Sequence, residues 1–217
     1  MRRLHRSVVI SGFVAALASP VAAYAQTGDR PATQLFMAPT GRALPKGQGY
    51  FKAIGLALPS WQGGFTDRFS LGIGMPIFGL GQAAVLTPKF QIQRSEKHST
   101  SIGAVDVLTT EGSFNIAYVA HTIERENGAI HVTAIAPIAR QASLRAVVLM
   151  MGAEYRVNDR VTFITENYVA AAGSIPIVSG GVRIRAPHTT WDLGLFVPPG
   201  FEYGARPMPM ISAGWKF

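Results

Sequence analysis

Residues 69–77 read Phe-Ser-Leu-Gly-Ile-Gly-Met-Pro-Ile, and their alternation decides the fold. The odd positions, Phe69, Leu71, Ile73, Met75 and Ile77, are large and apolar, whereas Ser70, Gly72, Gly74 and Pro76 are small or polar. Successive side chains of an extended chain point to opposite faces, so a period of two predicts a strand with one greasy face. The same pattern recurs in Phe114, Ile116 and Tyr118 against Asn115 and Ala117, and in Trp191, Leu193, Leu195 and Val197 against Asp192, Gly194 and Phe196. No segment carries a sustained helical stripe with caps.

Short breaks punctuate the alternation: GGFTDR, FGLG, RSEKHS, TTEG, ERENG, ARQAS, VNDR, AAGSIP, APHT and PPGFEYGARP. Between them lie eleven segments, near 48–58, 66–77, 82–94, 100–108, 113–123, 129–139, 145–157, 161–170, 177–185, 190–197 and 208–217. A closed single-chain membrane barrel has an even number of antiparallel strands. The segment Thr33 to Ala38, ahead of PTGRALPKG, is the expected twelfth; ten strands is the alternative. Residues 26–217 shared over twelve strands give about 16 each, near the ~10 needed to span plus a short turn. Eight strands would need about 24 each, more than these turns absorb.

Composition fits that reading. The chain has 217 residues, 48% of them hydrophobic and only 15% charged, roughly ten points below the charged share of soluble domains. Mean hydropathy is +0.21, yet beyond residue 26 no stretch approaches the ~18 apolar residues of a spanning helix, which excludes a membrane helical bundle. With no cysteine, disulfide scaffolds, thiolate metal sites and cysteine nucleophiles are excluded together. Met1 to Gln26 carries Arg2, Arg3 and Arg6, an apolar run from Val8 to Ala18 and an Ala23-Tyr24-Ala25 cleavage box. Residues 1–25 are therefore expected to be a secretory signal peptide that is removed, leaving 26–217 as one domain. Losing three arginines takes the formal charge from +8 to +5, scattered singly, so nucleic acid is not an expected partner.

With both termini in the periplasm, the periplasmic turns are the polar ones: GGFTDR, RSEKHS, ERENG, VNDR and APHT. The outer set is PTGRALPKG, FGLG, TTEG, ARQAS, AAGSIP and PPGFEYGARP, which includes the two longest connections. A charge facing lipid at the midplane costs about 2–4 kcal/mol, so Lys89, Asp106, Glu154, Glu166, Arg183 and Asp192 are expected to face the lumen. Lys52 shares a face with Ile54, Leu56 and Leu58 and is expected to snorkel at the rim or follow a bulge.

Turn spacing sets expected registers. Pairing Arg185 with Thr190 puts Arg183 opposite Asp192. A 157–161 turn with one extra residue puts Glu154 and Glu166 on the same wall, so that three carboxylates surround Arg183. A four-residue Glu96–Ser99 loop puts Lys89 opposite Asp106. Closing ERENG with Ile123 opposite Ala129 makes His121 face His131. These two histidines are a weak metal candidate without a third ligand; ordinary lumen polarity is the expectation, with no metal site and no cofactor.

The C-terminal segment, where Phe217, Trp215, Ala213 and Ile211 alternate with Lys216, Gly214 and Ser212, resembles the last strand that assembly machinery recognises in bacterial outer-membrane barrels. That resemblance implies an assembly signal at Trp215 and Phe217 and transient engagement of the barrel assembly machinery. PTGRALPKGQGYF, TDRFSLG, GAEYRVNDRVTFITENY, SGGVRIR and WDLGLFVP are similar to segments of uncharacterised small outer-membrane barrels, over nearly the whole chain after residue 26. The resemblance implies a closed antiparallel transmembrane barrel in the outer membrane, with lipid and lipopolysaccharide outside it, and no catalytic residues. Oligomeric state stays open.

Chemistry has little purchase in the sequence. Gly72-Ile73-Gly74 lacks a third glycine and a following helix, GRALPKGQG lacks phosphate-loop spacing, and there is no Gly-x-Ser-x-Gly elbow. His98, His121, His131 and His188 all fall toward the periplasmic side, away from an outer-leaflet active site, so enzyme activity is not expected. Three functions remain in view. The first is a structural or narrow-pore outer-membrane barrel with a polar, partly filled lumen; the others are an outer-membrane lipid-modifying enzyme and a secreted soluble barrel binding an apolar ligand. The scarcity of charge on the non-greasy face disfavours the last.

Overall fold

A computed structural model describes residues 33–78, 81–138, 146–170, 177–198 and 206–216. The segment expected to be a signal peptide and Phe217, with most of the longer expected loops, lie outside the described residues. Among the described residues, twelve strands form one antiparallel sheet that closes on itself. They are β1 (Gly49–Ile54), β2 (Leu58–Gly64), β3 (Phe69–Gly74), β4 (Ala83–Arg94), β5 (His98–Thr109), β6 (Ser113–Arg125), β7 (Gly128–Pro137), β8 (Val148–Arg156), β9 (Val161–Ala170), β10 (Val178–Arg185), β11 (Thr189–Val197) and β12 (Met208–Lys216). Closure is made by β1 on β12, with Phe51 opposite Trp215 and Lys52 opposite Gly214. A closed sheet leaves no unpaired edge, the condition for placing strands in hydrocarbon.

The strand count agrees with the sequence reading, but its composition does not. Thr33–Ala38 is not a barrel strand. The twelfth strand is β2: the expected 48–58 segment ends early, at Gly55 and Leu56, whose φ angles are +58° and +56°, and a further strand runs from Leu58 to Gly64 through residues that the sequence left between that segment and the next. Two successive left-handed residues reverse the chain tightly, and Ile54 then pairs with Leu58. Leucine carries no turn signal, so the reversal is hidden inside an apolar run. PTGRALPKG is likewise not an outer loop; it lies in the lumen.

Alternation sorts the two faces. Phe51, Phe90, Ile102, Val119, Phe163, Trp191 and Ile211 stand exposed on the outside, while Ser70, Ser101, Thr122, Thr133, Thr162 and Ser212 are buried within. An outer face of the first kind suits lipid, and the second group can hydrogen-bond across a lumen. Aromatic rings cluster outside near the rim that carries the polar turns. Trp215 lies 5.8 Å from Phe51, Trp61 6.2 Å from Phe65, and Phe65 6.1 Å from Phe69. Such a girdle suits a membrane interface. β1 starts and β12 ends at this same rim.

Candidate functional site: a lumen closed by the chain's own hairpin

The residues ahead of β1 fold into the barrel. Leu35 N–H donates to Ala38 O and Thr40 N–H to Thr33 O, both at 3.0 Å, and Gln34 bridges Pro39, so residues 33–40 make a tight hairpin. Its arms both open toward the polar-turn mouth. Its tip, Leu35 and Phe36, is fully buried against Met150, Ile164, Phe196 and Met210, with Ile54, Tyr168 and Ile177 around them. All of these wall residues but Ile164, which lies near mid-height, are in the half of the barrel away from the polar turns, so the tip builds an apolar roof inside an otherwise polar lumen.

Irregular backbone inside a barrel must have its polar groups satisfied by the wall. Lys89 donates to Thr33 O at 2.8 Å and to Thr40 O and Arg42 O, both at 3.1 Å, so all three of its protons are used. Lys52 Nζ donates to Leu35 O and Phe36 O, and Arg183 Nη2 to Leu35 O at 2.9 Å. On the acceptor side, Glu166 takes the N–H groups of Met37 (3.0 Å) and Ala38 (3.1 Å). Gly41 N–H donates to Thr122 Oγ1, while Ser101 and Thr133 hydroxyls donate to Thr40 O and Pro39 O. The hairpin is thus bonded around much of the wall's circumference rather than resting on one side.

The charges form two clusters. Asp192 takes a bidentate pair from Arg183 (2.6 and 2.9 Å) and a third bond from Lys52 at 2.9 Å. Nearer the polar-turn mouth, Arg42 of the hairpin pairs with both Glu124 and Glu154, the latter at 2.6 Å. Glycines clear the way for the tip. A Cβ at Gly194 would lie 2.8 Å from the Phe36 ring, which packs edge-on to Phe196 at 5.7 Å. Gly194→Val is therefore expected to unseat the tip and lower heat stability by about 1–3 kcal/mol, the usual cost of overpacking. A melt of the refolded barrel coinciding with wild type would remove the ring contact from this account.

The expected site residues distribute unevenly over this arrangement. Arg183 stands opposite Asp192 in the β10–β11 register, and Arg185 opposite Thr190. Glu154 and Glu166 both face inward on β8 and β9, across a turn in which Val157 N–H bonds Val161 O. The three carboxylates do not surround Arg183, however: Arg42 takes Glu154, and the hairpin backbone takes Glu166. Lys89 does not meet Asp106. The β4–β5 turn is tight and the register shifts between Gln91 and Gln93, so Lys89 falls opposite Gly103 and Asp106 opposite Leu86 and Asn115. By alternation from the inward Ser101, Asp106 faces outward near the end of β5, where a lipid-facing charge costs least. Lys52 is not at the rim but 7% exposed in the lumen.

His121 and His131 do not face each other. Arg125 pairs with Gly128, one residue off the expected register, and a slip of one flips every side chain. His121 stands outside, 3.4 Å from His98 and 2.8 Å from Thr100 Oγ1, whereas His131 points inward. Thr122, His131 and Glu154 run in a line, with Thr122 Oγ1 2.9 Å from His131 Nδ1 and His131 Nε2 4.0 Å from Glu154. The order suggests a nucleophile, base and acid. Yet Thr122 and His131 are fully buried, Thr122 is occupied by the Gly41 N–H and Glu154 by Arg42, so the line is a support for the hairpin. Sequence reading missed Arg42, Glu124 and the whole 33–44 segment. Arg42 sat in what read as an outer loop, and nothing local in PTGRALPKG marks it as an insert.

A closed twelve-strand antiparallel barrel, apolar outside and charged within, has the fold of outer-membrane porins. Two solved structures share it. The NanC porin aligns with a TM-score of 0.53 at 11% identity, over 78% of this chain and 98% of its own. The KdgM porin, solved in complex with disordered oligogalacturonate, aligns with a TM-score of 0.59 at 7% identity, over 78% of this chain and 96% of its own. No protein-family model matches the sequence, and no curated protein does. At such identities the likeness speaks for the fold.

Proposed function

We propose that this chain is a narrow-pore barrel of the bacterial outer membrane, held shut by its own N-terminal hairpin. The carrying observation is the hairpin topology: both arms of 33–44 open to one mouth, so the insert can withdraw without threading. The apolar exterior and the aromatic girdle support a membrane position, and the porin fold supports a pore. Lumen-facing cations outnumber carboxylates among the described residues. Lys52, Lys89, Arg94, Arg156, Arg183, Arg185 and Lys216 on the wall, with Arg42 of the insert, stand against Glu124, Glu154, Glu166 and Asp192. An open lumen of that balance favours small anionic solutes, the sign of charge carried by the oligogalacturonate of the KdgM structure.

The test is planar-bilayer conductance of the full chain against a variant lacking residues 33–44. The full chain is expected to stay closed most of the time and the shortened chain to conduct steadily with anion preference. Equal conductance in the two, on barrels shown to be folded by their heat-dependent gel mobility, would overturn the reading.

A further inference from the structure

The outer face of the wall carries a chain of polar side chains that neither the lumen nor the hairpin uses. In the β5–β6 register His98 stands opposite Ile123 and Thr100 opposite His121, and the inward Ser99, Ser101 and Thr122 alternate with them. His98, Thr100 and His121 therefore share the outside. Gln93 flanks Thr100 from β4, beyond the irregularity at 91–93. His98 is the first residue of β5 and adjoins the 95–97 turn, which puts the group at the polar-turn rim, half-buried and within reach of water. The register that parts His121 from His131 is the one that brings His121 to His98.

Hydrogen bonding fixes where the protons lie. Gln93 Oε1 only accepts, so the Thr100 hydroxyl gives its hydrogen to it, at 3.1 Å. Thr100 Oγ1 then accepts from His121 Nδ1, at 2.8 Å. A neutral imidazole carries a single N–H, so His121 Nε2 is left with its lone pair. It faces His98 Nδ1 at 3.4 Å, long for a hydrogen bond. The ring centroids are 5.5 Å apart and the planes 26° from parallel, so the rings meet nitrogen to nitrogen at their edges rather than face to face.

Two imidazole nitrogens bound to one zinc ion at about 2.0–2.1 Å each, with a tetrahedral angle between them, lie roughly 3.4 Å apart. That is the separation of His98 Nδ1 and His121 Nε2. We propose that these two nitrogens form a site for one divalent transition ion of the zinc, copper or nickel class, with water filling its remaining positions. Thr100 and Gln93 are positioning residues: they hold His121 in the ligating tautomer, as hydrogen-bonded partners of metal-bound histidines do. His98 ligates by carrying its own proton on Nε2. The bound ion ties β5 to β6 at the rim. Two protein ligands hold an ion more weakly than the three or four of catalytic and structural zinc sites, and the preset tautomer and spacing offset part of the difference. The site lies across the wall from the lumen and does not rest on the pore reading.

The experiment is calorimetric titration of the untagged, refolded full chain in detergent with zinc chloride, repeated with copper(II) chloride and with magnesium chloride. Saturable one-to-one binding of zinc, tighter binding of copper and no binding of magnesium are expected. His98→Gln and His121→Gln should each weaken zinc binding at least tenfold. Thr100→Val keeps both ligands but frees the His121 tautomer, and should weaken it roughly tenfold. His188→Gln, which removes an exposed turn histidine, should leave it unchanged. Heat-dependent gel mobility shows which variants are folded, and none of these side chains bonds the hairpin. Absence of saturable zinc binding, or zinc binding unchanged in folded His98→Gln and His121→Gln barrels, overturns the site. Binding lost with either histidine but unaltered in Thr100→Val overturns the positioning role and leaves the pair of ligands. None of these readouts uses conductance, so failure of the pore reading is recognised independently.

Discussion

Asp192→Asn is expected to lower the stability of the refolded barrel by about 3–5 kcal/mol, the usual result of removing one partner from a buried ion pair. The carboxylate is 2% exposed and is the direct counter-charge of two cations, Arg183 at 2.6 Å and Lys52 at 2.9 Å, both buried themselves. Asparagine keeps the shape but leaves those buried cations without their counter-charge. The same two cations hold Leu35 O and Phe36 O, so their displacement also loosens the hairpin tip. Denaturant titration of folded barrel by gel mobility reads the loss. Adding Lys52→Met, which removes the excess cation, should restore part of it. A single variant within about 1 kcal/mol of wild type would mean that water or another group already shares the load assigned to Asp192.

Phe36→Asp is expected to expel the hairpin and produce the largest change in permeability of any single substitution here. The ring is fully buried, touches Phe196 edge-on and lies over Gly194. Deleting a buried phenylalanine costs about 3–5 kcal/mol by loss of transfer energy and creation of a cavity. Aspartate puts a carboxylate among Met150, Ile164, Phe196 and Met210, an apolar surrounding that strips it of water. The barrel wall itself keeps its ladder of hydrogen bonds, so the protein should still fold while the insert leaves. Two measurements check this: conductance rising to that of the chain without residues 33–44, and rapid trypsin cleavage after Arg42. A closed, protease-resistant variant would show that the tip does not hold the hairpin, and would transfer that role to Lys89 and Glu166.

The sequence by itself determined the barrel. In 69–77 the period of two is unbroken and in 191–197 only Phe196 departs from it, and a pattern of that period can be satisfied only by a sheet with one apolar side. The low charge then settled that the apolar side faces outward. The Arg183 and Asp192 pairing was legible for the same local reason, because the APHT turn is short and the strands on either side of it run without a bulge. Registers failed where a turn could close in more than one way. One residue at Glu126-Asn127 put His121 and His131 on opposite faces, and the irregularity at 91–93 parted Lys89 from Asp106.

Two features were decided by tertiary structure alone. Leu56 adopts a left-handed conformation that its own side chain does not favour, because ending β1 there lets Lys52 face Asp192 and β2 complete the sheet. Thr33–Leu44 has the alternation of a strand and the loop residues of a turn, and neither predicts its place. Its backbone is paid for by groups distant in sequence: Lys89, Thr122, Glu166 and Arg183 come from four different strands and converge only after the barrel has closed. Local sequence carries the preference of each residue for a strand or a turn, whereas the occupant of a lumen is chosen by the sum of contacts that closure creates.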